Sequence, residues 1–152
     1  MEIRFKKLNP EAKTPYKAID IDAGFDLFCT SVEETTNFIQ YNTGIAVEIP
    51  EGYVGLIFPR SSVTNYDLML KNSVGVIDAS YRGEIMCRFQ GIDATKYRVG
   101  DKKQIIYGDN IYNVGDRVAQ IVVIELPKIT LVEAQELSDT QRGSGGFGHT
   151  GK

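Results

Sequence analysis

The sequence predicts an all-β protein of one domain, folded as a barrel or jelly roll. Apolar residues recur at every second position, as at Ile45, Val47 and Ile49, and this period places them on one face of a strand. The apolar runs are short, and Gly, Pro or Asn separates them, which is typical of antiparallel barrels and sandwiches. A chain of 152 residues is long enough to form a core without disulfides.

The predicted elements follow one another at short intervals. A turn at 50–52 separates the alternating strand from an apolar run that Pro59 ends. One or two helical turns are expected within 61–70, where the strand pattern is interrupted. The predicted strands are 45–49, 53–58, 85–89, 118–126 and 129–132. Because no repeat or linker divides them, we expect a single domain over 1–152.

The segment 93–113 differs from the strands around it. It is polar, carries three tyrosines and contains a Gly108-Asp109-Asn110 turn, which is typical of a hairpin. We expect an extra hairpin that projects from the barrel and takes no part in its core. A projecting surface with tyrosines suits a protein partner. Binding of a protein at 93–113 is therefore one hypothesis, and a loop without function is the other.

Composition and charge exclude several classes of function. A net charge of −3 gives no basis for nucleic-acid binding, which needs clustered Lys and Arg. The N-terminus lacks the apolar stretch of a signal peptide, and no run reaches the about 20 apolar residues of a membrane span. With Cys29, Cys87 and one histidine, neither a disulfide framework nor a zinc site is expected. We expect a cytoplasmic location, in a bacterium or in the host of a phage.

The segment 141–152 is rich in glycine and suits contact with a ligand better than packing in a core. Glycine has no side chain to bury and loses the most backbone entropy when it is ordered. Exposed N–H groups can bind anions, Arg142 adds a planar fork for phosphate, and Phe147 can stack on a planar base. We expect either a solvated tail or an arm that closes over a ligand.

Four further segments interrupt strands with polar residues that the strands do not need. Each of them alone has a simpler explanation, as a helix cap, as turn chemistry or as a satisfied polar group on a strand. The segments are 23–27 with Asp26, 59–62 with Arg60, 75–83 with Asp78 and Tyr81, and 115–120 with Gln120.

In this order, the four segments and the glycine-rich arm resemble the five motifs of the trimeric dUTP pyrophosphatase (dUTPase) family. The resemblance extends from Ala23 to Lys152. Two parts are specific, namely Gly-Val-Ile-Asp-x-x-Tyr-x-Gly over 75–83 and Arg-Gly-Ser-Gly-Gly-Phe-Gly-x-Thr-Gly over 142–151. The resemblance implies a distorted, jelly-roll-like β-barrel (a β-clip) over 1–140 and a C-terminal arm over 141–152. It also implies a homotrimer with exchanged arms and three active sites between subunits.

The resemblance further implies hydrolysis of dUTP to dUMP and pyrophosphate, by attack of water on the α-phosphorus. This reaction limits uracil incorporation into DNA and supplies dUMP for dTMP synthesis. Uracil would enter a slot of backbone groups, Tyr81 would pack against the deoxyribose, and Asp78 would bind the 3′-hydroxyl and orient the water. The residues implied for the nucleoside are Asn72, Gly75, Val76, Ile77, Asp78, Tyr81 and Met86.

For the triphosphate, the resemblance implies Mg²⁺ held by the phosphates and by waters, with no direct protein ligand. Asp26 would contact a metal-bound water, and Asp26, Asp78 and Gln120 form the implied catalytic set. Arg142 and Thr150 would contact the γ-phosphate, and Phe147 would stack over uracil. The implied phosphate and arm residues are Arg60, Ser61, Ser62, Gln120, Arg142, Phe147, Gly148 and Thr150.

Ser62 departs from the family pattern, which usually has Pro-Arg-Ser-Gly in the second motif. The dCTP deaminases share the fold and often carry Arg-Ser-Ser, so a dCTP deaminase, or a bifunctional enzyme, is the alternative. Those enzymes place a catalytic Glu ten residues after the hairpin Asp, where this chain has Arg88, and they lack the Gly-Phe-Gly arm. An interaction or regulatory protein of the same fold is a further alternative.

Overall fold

The structure is a computed structural model that describes residues 1–91, 95–99, 102–106 and 110–146, with the side chains of 95–99 and 102–106 excepted. The described part is all-β, as predicted, with one short 3₁₀ helix at Ser61–Asn65. Its strands are β1 (Arg4–Lys7), β2 (Phe25–Phe28), β3 (Ser31–Glu34), β4 (Ile39–Asn42), β5 (Ile45–Glu48), β6 (Tyr53–Phe58), β7 (Leu68–Leu70), β8 (Gly75–Ile77), β9 (Met86–Gly91), β10 (Thr95–Val99), β11 (Lys102–Ile106) and β12 (Arg117–Glu125).

Two four-stranded antiparallel sheets form the body of the fold. One has the order β2-β12-β6-β8 and the other the order β3-β4-β9-β7. β1 pairs with β5, and β10 pairs with β11, as separate two-stranded sheets. Most of these neighbours are distant in sequence, so the barrel depends on long-range pairing rather than on local hairpins.

The period-two pattern at 85–89 is confirmed in β9. Cys87 and Phe89 are buried, whereas Met86 and Arg88, which alternate with them, are exposed. Side chains of a strand alternate between its faces, so this strand presents one face to the core. The core itself centres on aromatic rings. Tyr41 meets Phe89 and Tyr112 edge to face, at ring centroid distances of 5.5 and 5.7 Å.

The prediction that all of 93–113 stays outside the core is wrong at the C-terminal end of that segment. β10 and β11 do form a hairpin in a sheet of their own. Tyr112, however, is 2% exposed and packs among Tyr41, Phe89 and Tyr66. Burial of so large an aromatic ring is favourable. The chain therefore returns to the core at Tyr112, before β12 begins.

One further prediction about local structure is wrong, and another is confirmed only in part. Residues 129–132 form no strand, and the side chains of Ile129, Leu131 and Val132 are 75%, 94% and 81% exposed. Among the described strands, none pairs with these residues. The expected helical turns over 61–70 shorten to the 3₁₀ helix, and Leu68–Leu70 forms β7 instead. No described helix is long and apolar enough to span a membrane.

The burial of Tyr112 can be tested by measuring the free energy of unfolding of variants at this position. We expect Tyr112→Ala to lower the free energy of unfolding by about 3–5 kcal/mol, because it leaves a cavity among three aromatic rings. Tyr112→Phe keeps the ring and should cost much less. Urea denaturation followed by circular dichroism measures both. An alanine variant as stable as the parent would contradict the burial of this ring.

Candidate active site

The first candidate pocket lies where β8 and β9 separate. β8 pairs with β6, whereas β9 pairs with β4 and β7. The segment 78–85 between them therefore does not close a paired hairpin, and it is a loop that crosses from one sheet to the other. The crossing leaves a pocket of about 260 Å³, lined by Ile57, Leu70, Asn72, Gly75, Val76, Ile77, Asp78, Tyr81, Glu84, Ile85, Met86 and Cys87. We call it the slot.

One wall of the slot is the edge of a sheet. β8 is the last of the described strands in its sheet, so the peptide groups on its free side pair with no described strand and are available to a ligand. Gly75 permits close pairing with β6, since a Cβ there would lie 3.1 Å from the Cβ of Ile57. Val76, Tyr81 and Met86 are partly exposed apolar side chains of the slot. A planar, polar-edged ring fits such a site.

The second pocket lies at the ends of β2, β6 and β12, and we call it the arginine pocket. β12 pairs with strands on both sides, and Gln120 lies opposite Asp26 on β2 and Phe58 on β6. Arg60 and Ser61 follow Pro59, which comes directly after the end of β6. The pocket has a volume of about 300 Å³ and is lined by Tyr16, Ala18, Asp22, Ala23, Gly24, Asp26, Arg60, Ser61, Arg117 and Gln120.

Two guanidinium groups share one carboxylate in the arginine pocket. Arg60 Nε donates to Asp26 Oδ1 at 2.7 Å, and Arg117 Nη1 donates to Asp26 Oδ2 at 3.0 Å. The Asp26 side chain is 15% exposed, so this pair is partly shielded from water. Each guanidinium has five N–H donors, and most of them remain for other acceptors. Planar donor forks of this kind bind phosphate oxygens well.

Gln120 is oriented by its neighbours on two strands. Its Nε2 donates to the Pro59 carbonyl at 3.1 Å. A Cβ at position 24 would lie 2.6 Å from Gln120 Oε1. Glycine at position 24 therefore leaves the space that the amide occupies beside Asp26.

Arg117 is a residue of this pocket that the sequence analysis missed. In a regular strand, residues 117 and 120 would point to opposite faces. The pairing of β12 with β2 shifts register between Arg117 and Ala119, so that Arg117 lies opposite Phe28 while Gln120 lies opposite Asp26. Such a bulge brings both side chains to one face. The Gly115 that precedes the strand is the sequence signal nearest to this irregularity.

Ser62, the departure from the family pattern, contacts Arg60 from the side opposite to Asp26. Its Oγ accepts a hydrogen bond from Arg60 Nη1 at 3.1 Å. Burial raises the pKa of the Tyr112 hydroxyl, and the nearby Ser62 hydroxyl counteracts part of this rise. Ser62 therefore lies between the arginine pocket and the aromatic core.

The two cysteines are not nucleophiles in this structure. Burial raises the pKa of Cys29 to about 11 and that of Cys87 to about 12. Both thiols therefore stay protonated at neutral pH, and protonated thiols do not attack electrophiles. Cys87 contributes an apolar wall to the slot.

The structure brings the predicted site residues together in two groups rather than one. Among the described residues, no residue lines both the slot and the arginine pocket. Arg142 is exposed and donates to Gly145 O at 2.9 Å within the arm. Phe147, Gly148 and Thr150 lie outside the described residues.

A sheet edge open to a planar ring, and a pocket of guanidinium and amide donors, define a nucleotide-binding class of all-β protein. The sequence matches the dUTPase family over residues 10–151, and the chain belongs to that family. It is similar to the deoxyuridine 5'-triphosphate nucleotidohydrolase of Hydrogenobaculum sp., with 39% identity over 155 residues that cover 99% of both chains.

Solved structures of phage proteins share the fold. The dUTPase of Staphylococcus bacteriophage 80alpha, solved with dUpNHpp, has a TM-score of 0.78 and 30% identity, and the match covers 99% of both chains. The dUTPase of phage phi11 of S. aureus, described with a species-specific insert, has a TM-score of 0.70 and 29% identity. That match covers 92% of this chain and 100% of the phi11 chain.

The shared carboxylate predicts a difference between two ion pairs. Asp26→Ala leaves two guanidinium groups without their acceptor in a shielded pocket, and should lower the free energy of unfolding by about 2 kcal/mol. Glu48→Ala is the matched control, because Glu48 also pairs with two arginines, Arg4 at 2.8 Å and Arg82 at 3.7 Å. These pairs lie on the surface, where each contributes at most about 1 kcal/mol. Thermal denaturation measures both, and equal losses of stability would contradict the special position of Asp26.

Proposed function

We propose that this chain is a dUTP diphosphatase that hydrolyses dUTP to dUMP and pyrophosphate with Mg²⁺. Relatives named as deoxyuridine 5'-triphosphate nucleotidohydrolases match it over 99% of its length at 39% and 35% identity. The observation that carries the proposal is the slot, which places an unpaired strand edge beside Asp78 and Tyr81. The reaction would remove dUTP before uracil enters DNA, and it would supply dUMP for dTMP synthesis.

Uracil binds in the slot along the free edge of β8. The N–H and C=O groups of Gly75, Val76 and Ile77 have a fixed donor and acceptor order that a pyrimidine edge can match. Cytosine would leave two of these groups buried and mismatched, and each such group costs about 1–3 kcal/mol. Asn72 supports the base edge, and Met86 lines the opposite side. The narrow slot also disfavours the 5-methyl group of thymine.

Asp78 and Tyr81 act on the sugar and on the attacking water. The Tyr81 ring packs against the deoxyribose, where a 2′-hydroxyl would clash. Asp78 binds the 3′-hydroxyl and accepts a hydrogen bond from the water, which it orients toward the α-phosphorus. A new bond forms between the water oxygen and the α-phosphorus. The bond between the α-phosphorus and the oxygen that bridges it to the β-phosphorus breaks, and pyrophosphate leaves. Positioning of this kind, with removal of the water proton, commonly contributes about 100-fold or more.

The arginine pocket receives the triphosphate. Arg60, Ser61, Gln120 and the newly assigned Arg117 offer donors to the phosphate oxygens, and this stabilises the charge that spreads over them in the transition state. The residues fit a metal held by the substrate, because Asp26 can accept a hydrogen bond from a metal-bound water through its remaining lone pairs. When bound, Mg²⁺ neutralises phosphate charge and fixes the geometry of the triphosphate chain.

Three features support a homotrimer with active sites between subunits. The slot and the arginine pocket share no described lining residue, so the slot of one subunit can meet the arginine pocket of another. The segment 129–137 also exposes large apolar side chains, including Leu131 and Leu137 at 94% and 88%. An apolar groove of about 230 Å³ lies near β1 and β12, lined in part by Phe5 and Phe25. Burial of such surfaces between subunits is favourable by about 25 cal/mol per Å².

The C-terminal arm completes this shared site. Arg142 and Thr150 bind the γ-phosphate, Phe147 stacks over uracil, and Gly148 lets the backbone approach the substrate closely. In the described part of the arm, Gly143 N donates to Thr140 O and Gly145 N donates to Arg142 O. The hydrogen bonds of the described residues 141–146 thus stay within the arm or reach the adjacent Thr140, which supports closure over a substrate rather than a role in the barrel.

Deamination of dCTP is the alternative from the same fold, and Arg88 argues against it. This residue occupies the position where deaminases carry their catalytic Glu. Its guanidinium lies 4.4 Å from the centroid of the Phe38 ring, and Nε donates to Gln40 Oε1 at 2.9 Å. Arg88 lines neither pocket. Incubation with dCTP and Mg²⁺ distinguishes the two activities, because ammonia release would require deamination.

A protein partner at 93–113 is a second function that one observation favours. β10 and β11 pair only with each other among the described strands, so this hairpin can vary without loss of the barrel. Replacement of 95–106 by a short glycine linker should leave dUTP hydrolysis and oligomeric state near those of the parent. Loss of both would show instead that the hairpin is structural.

The role of Asp78 predicts the effect of a conservative change. Asp78→Asn keeps the size of the side chain and part of its hydrogen bonding, but it weakens acceptance of the water proton. We expect kcat for dUTP to fall about 100-fold or more, while the affinity for dUpNHpp changes little. Steady-state kinetics and calorimetry measure the two quantities. A variant with parental kcat would mean that another group orients the water.

The role of the arm predicts a separation of activity from stability. A chain ended after Thr140 should keep its melting temperature, because the described part of the arm contacts mainly itself. Its kcat should fall at least about tenfold, since closure excludes water and completes the charges around the phosphates. Phe147→Ala alone should have a smaller effect, through loss of one stacking contact.

Light scattering is the companion measurement for this truncation. Both the parent and the truncated protein should be trimers, and the parent should have three times its chain mass of 16.9 kDa. A monomeric parent would overturn the shared site. A truncated protein that loses stability but keeps its turnover would show that the arm holds subunits together and does not act as a lid.

A further inference from the structure

The Tyr81 ring is held by the backbone that follows it. Its hydroxyl donates to the Glu84 carbonyl at 2.8 Å, so the ring folds back over Gly83. A Cβ at Gly83 would lie 2.6 Å from Cζ of Tyr81, and glycine at this position is therefore necessary for the observed ring orientation. The direction of the ring in the slot depends on where the Glu84 carbonyl lies.

The Glu84 side chain ties this backbone to the turn between β4 and β5. Its Oε1 accepts a hydrogen bond from Gly44 N at 2.7 Å. The turn itself is fixed, since Gly44 has φ +65° and a Cβ there would come within 2.8 Å of Asn9 and Ala12. Positive φ and a lack of space both favour glycine, so the Gly44 N–H is a rigid donor.

The residue after Glu84 is bound to the same turn. Thr43 is fully buried, and its Oγ1 donates to the Ile85 carbonyl at 2.7 Å. Ile85 N donates to the Ile45 carbonyl at 2.8 Å. Three hydrogen bonds thus join 84–85 to 43–45, and Glu84 contributes the one that comes from its side chain. On the other side of the loop, Arg82 Nη1 donates to the Ala79 and Tyr81 carbonyls.

We propose that Glu84 is a positioning residue for sugar selection, which acts by anchoring the carbonyl that holds the Tyr81 ring. The inference rests on the proposed role of Tyr81 against the deoxyribose. Glu84 lines the slot, but its carboxylate binds Gly44 and acts on the substrate through Tyr81. A Tyr81 ring that is held by its own backbone at one end and by the Glu84 carbonyl at the other excludes a ribose with a 2′-hydroxyl. A ring that can rotate admits this sugar.

The test compares dUTP with UTP in variants of the anchor. Glu84→Ala should raise the ratio of kcat/KM for UTP to that for dUTP about fivefold, the effect expected for one lost hydrogen bond. The KM for dUTP should rise more than kcat falls. Glu84→Gln should stay near the parent, because its amide oxygen can still accept from Gly44 N–H. Glu51→Ala, which removes an exposed glutamate from the turn between β5 and β6, is the matched control and should change nothing.

A second variant keeps the test decisive where Glu84→Ala fails to fold. Gly83→Ala displaces the Tyr81 ring directly and leaves the bond to Gly44 in place, so it should raise the same ratio. If Glu84 has a purely structural role, its removal would lower the melting temperature and would reduce kcat/KM for dUTP and for UTP by the same factor. This result would overturn the inference. An unchanged ratio in both variants would overturn it as well. A parent protein that does not hydrolyse dUTP would instead remove the proposed function.

Discussion

The pairing of β12 with strands on both of its sides is the constraint on which the site depends. This nine-residue strand joins β2 to β6 in the first sheet, and no other described strand in that sheet is as long. It places Gln120 between Asp26 and the end of β6, from which Arg60 emerges. The bulge in the same strand turns Arg117 toward Asp26. One strand thus assembles a carboxylate, an amide and two guanidinium groups from three distant segments of the chain.

The slot forms because β8 and β9, although consecutive in the chain, do not pair with each other. β8 continues the first sheet and β9 enters the second, so the loop between them cannot close into a hairpin. The open edge of β8 is a liability in an ordinary sheet, because unpaired peptide groups attract other strands. In the function proposed here, the same groups bind the edge of the base. The turn at Thr43 and Gly44 keeps this opening fixed through its bonds to Glu84 and Ile85.

Much of the fold and the site could be predicted from the sequence, and the failures have physical causes. The alternating pattern in β9 could be predicted, because it depends on local spacing and residue type. Asp26, Arg60, Asp78 and Gln120 were candidates only through the resemblance to the family motifs, and their roles stay predictions. Arg117 was missed, since a bulge changes which face a side chain occupies and local spacing does not reveal it. The burial of Tyr112 depends on partners distant in sequence. The stretch at 129–132 has strand composition but finds no partner strand within one chain.

The same unpaired stretch links assembly to catalysis. A chain that exposes Leu131 and Leu137 gains free energy when a neighbour covers them, and this gain is independent of any substrate. If the slot and the arginine pocket must come from different subunits, the apolar contacts bring together groups that a single chain holds apart. In the proposed trimer, apolar burial elsewhere would then stabilise the arrangement of polar and charged groups around the phosphates. Assembly would in that case precede catalysis, and closure of the arm would complete the site.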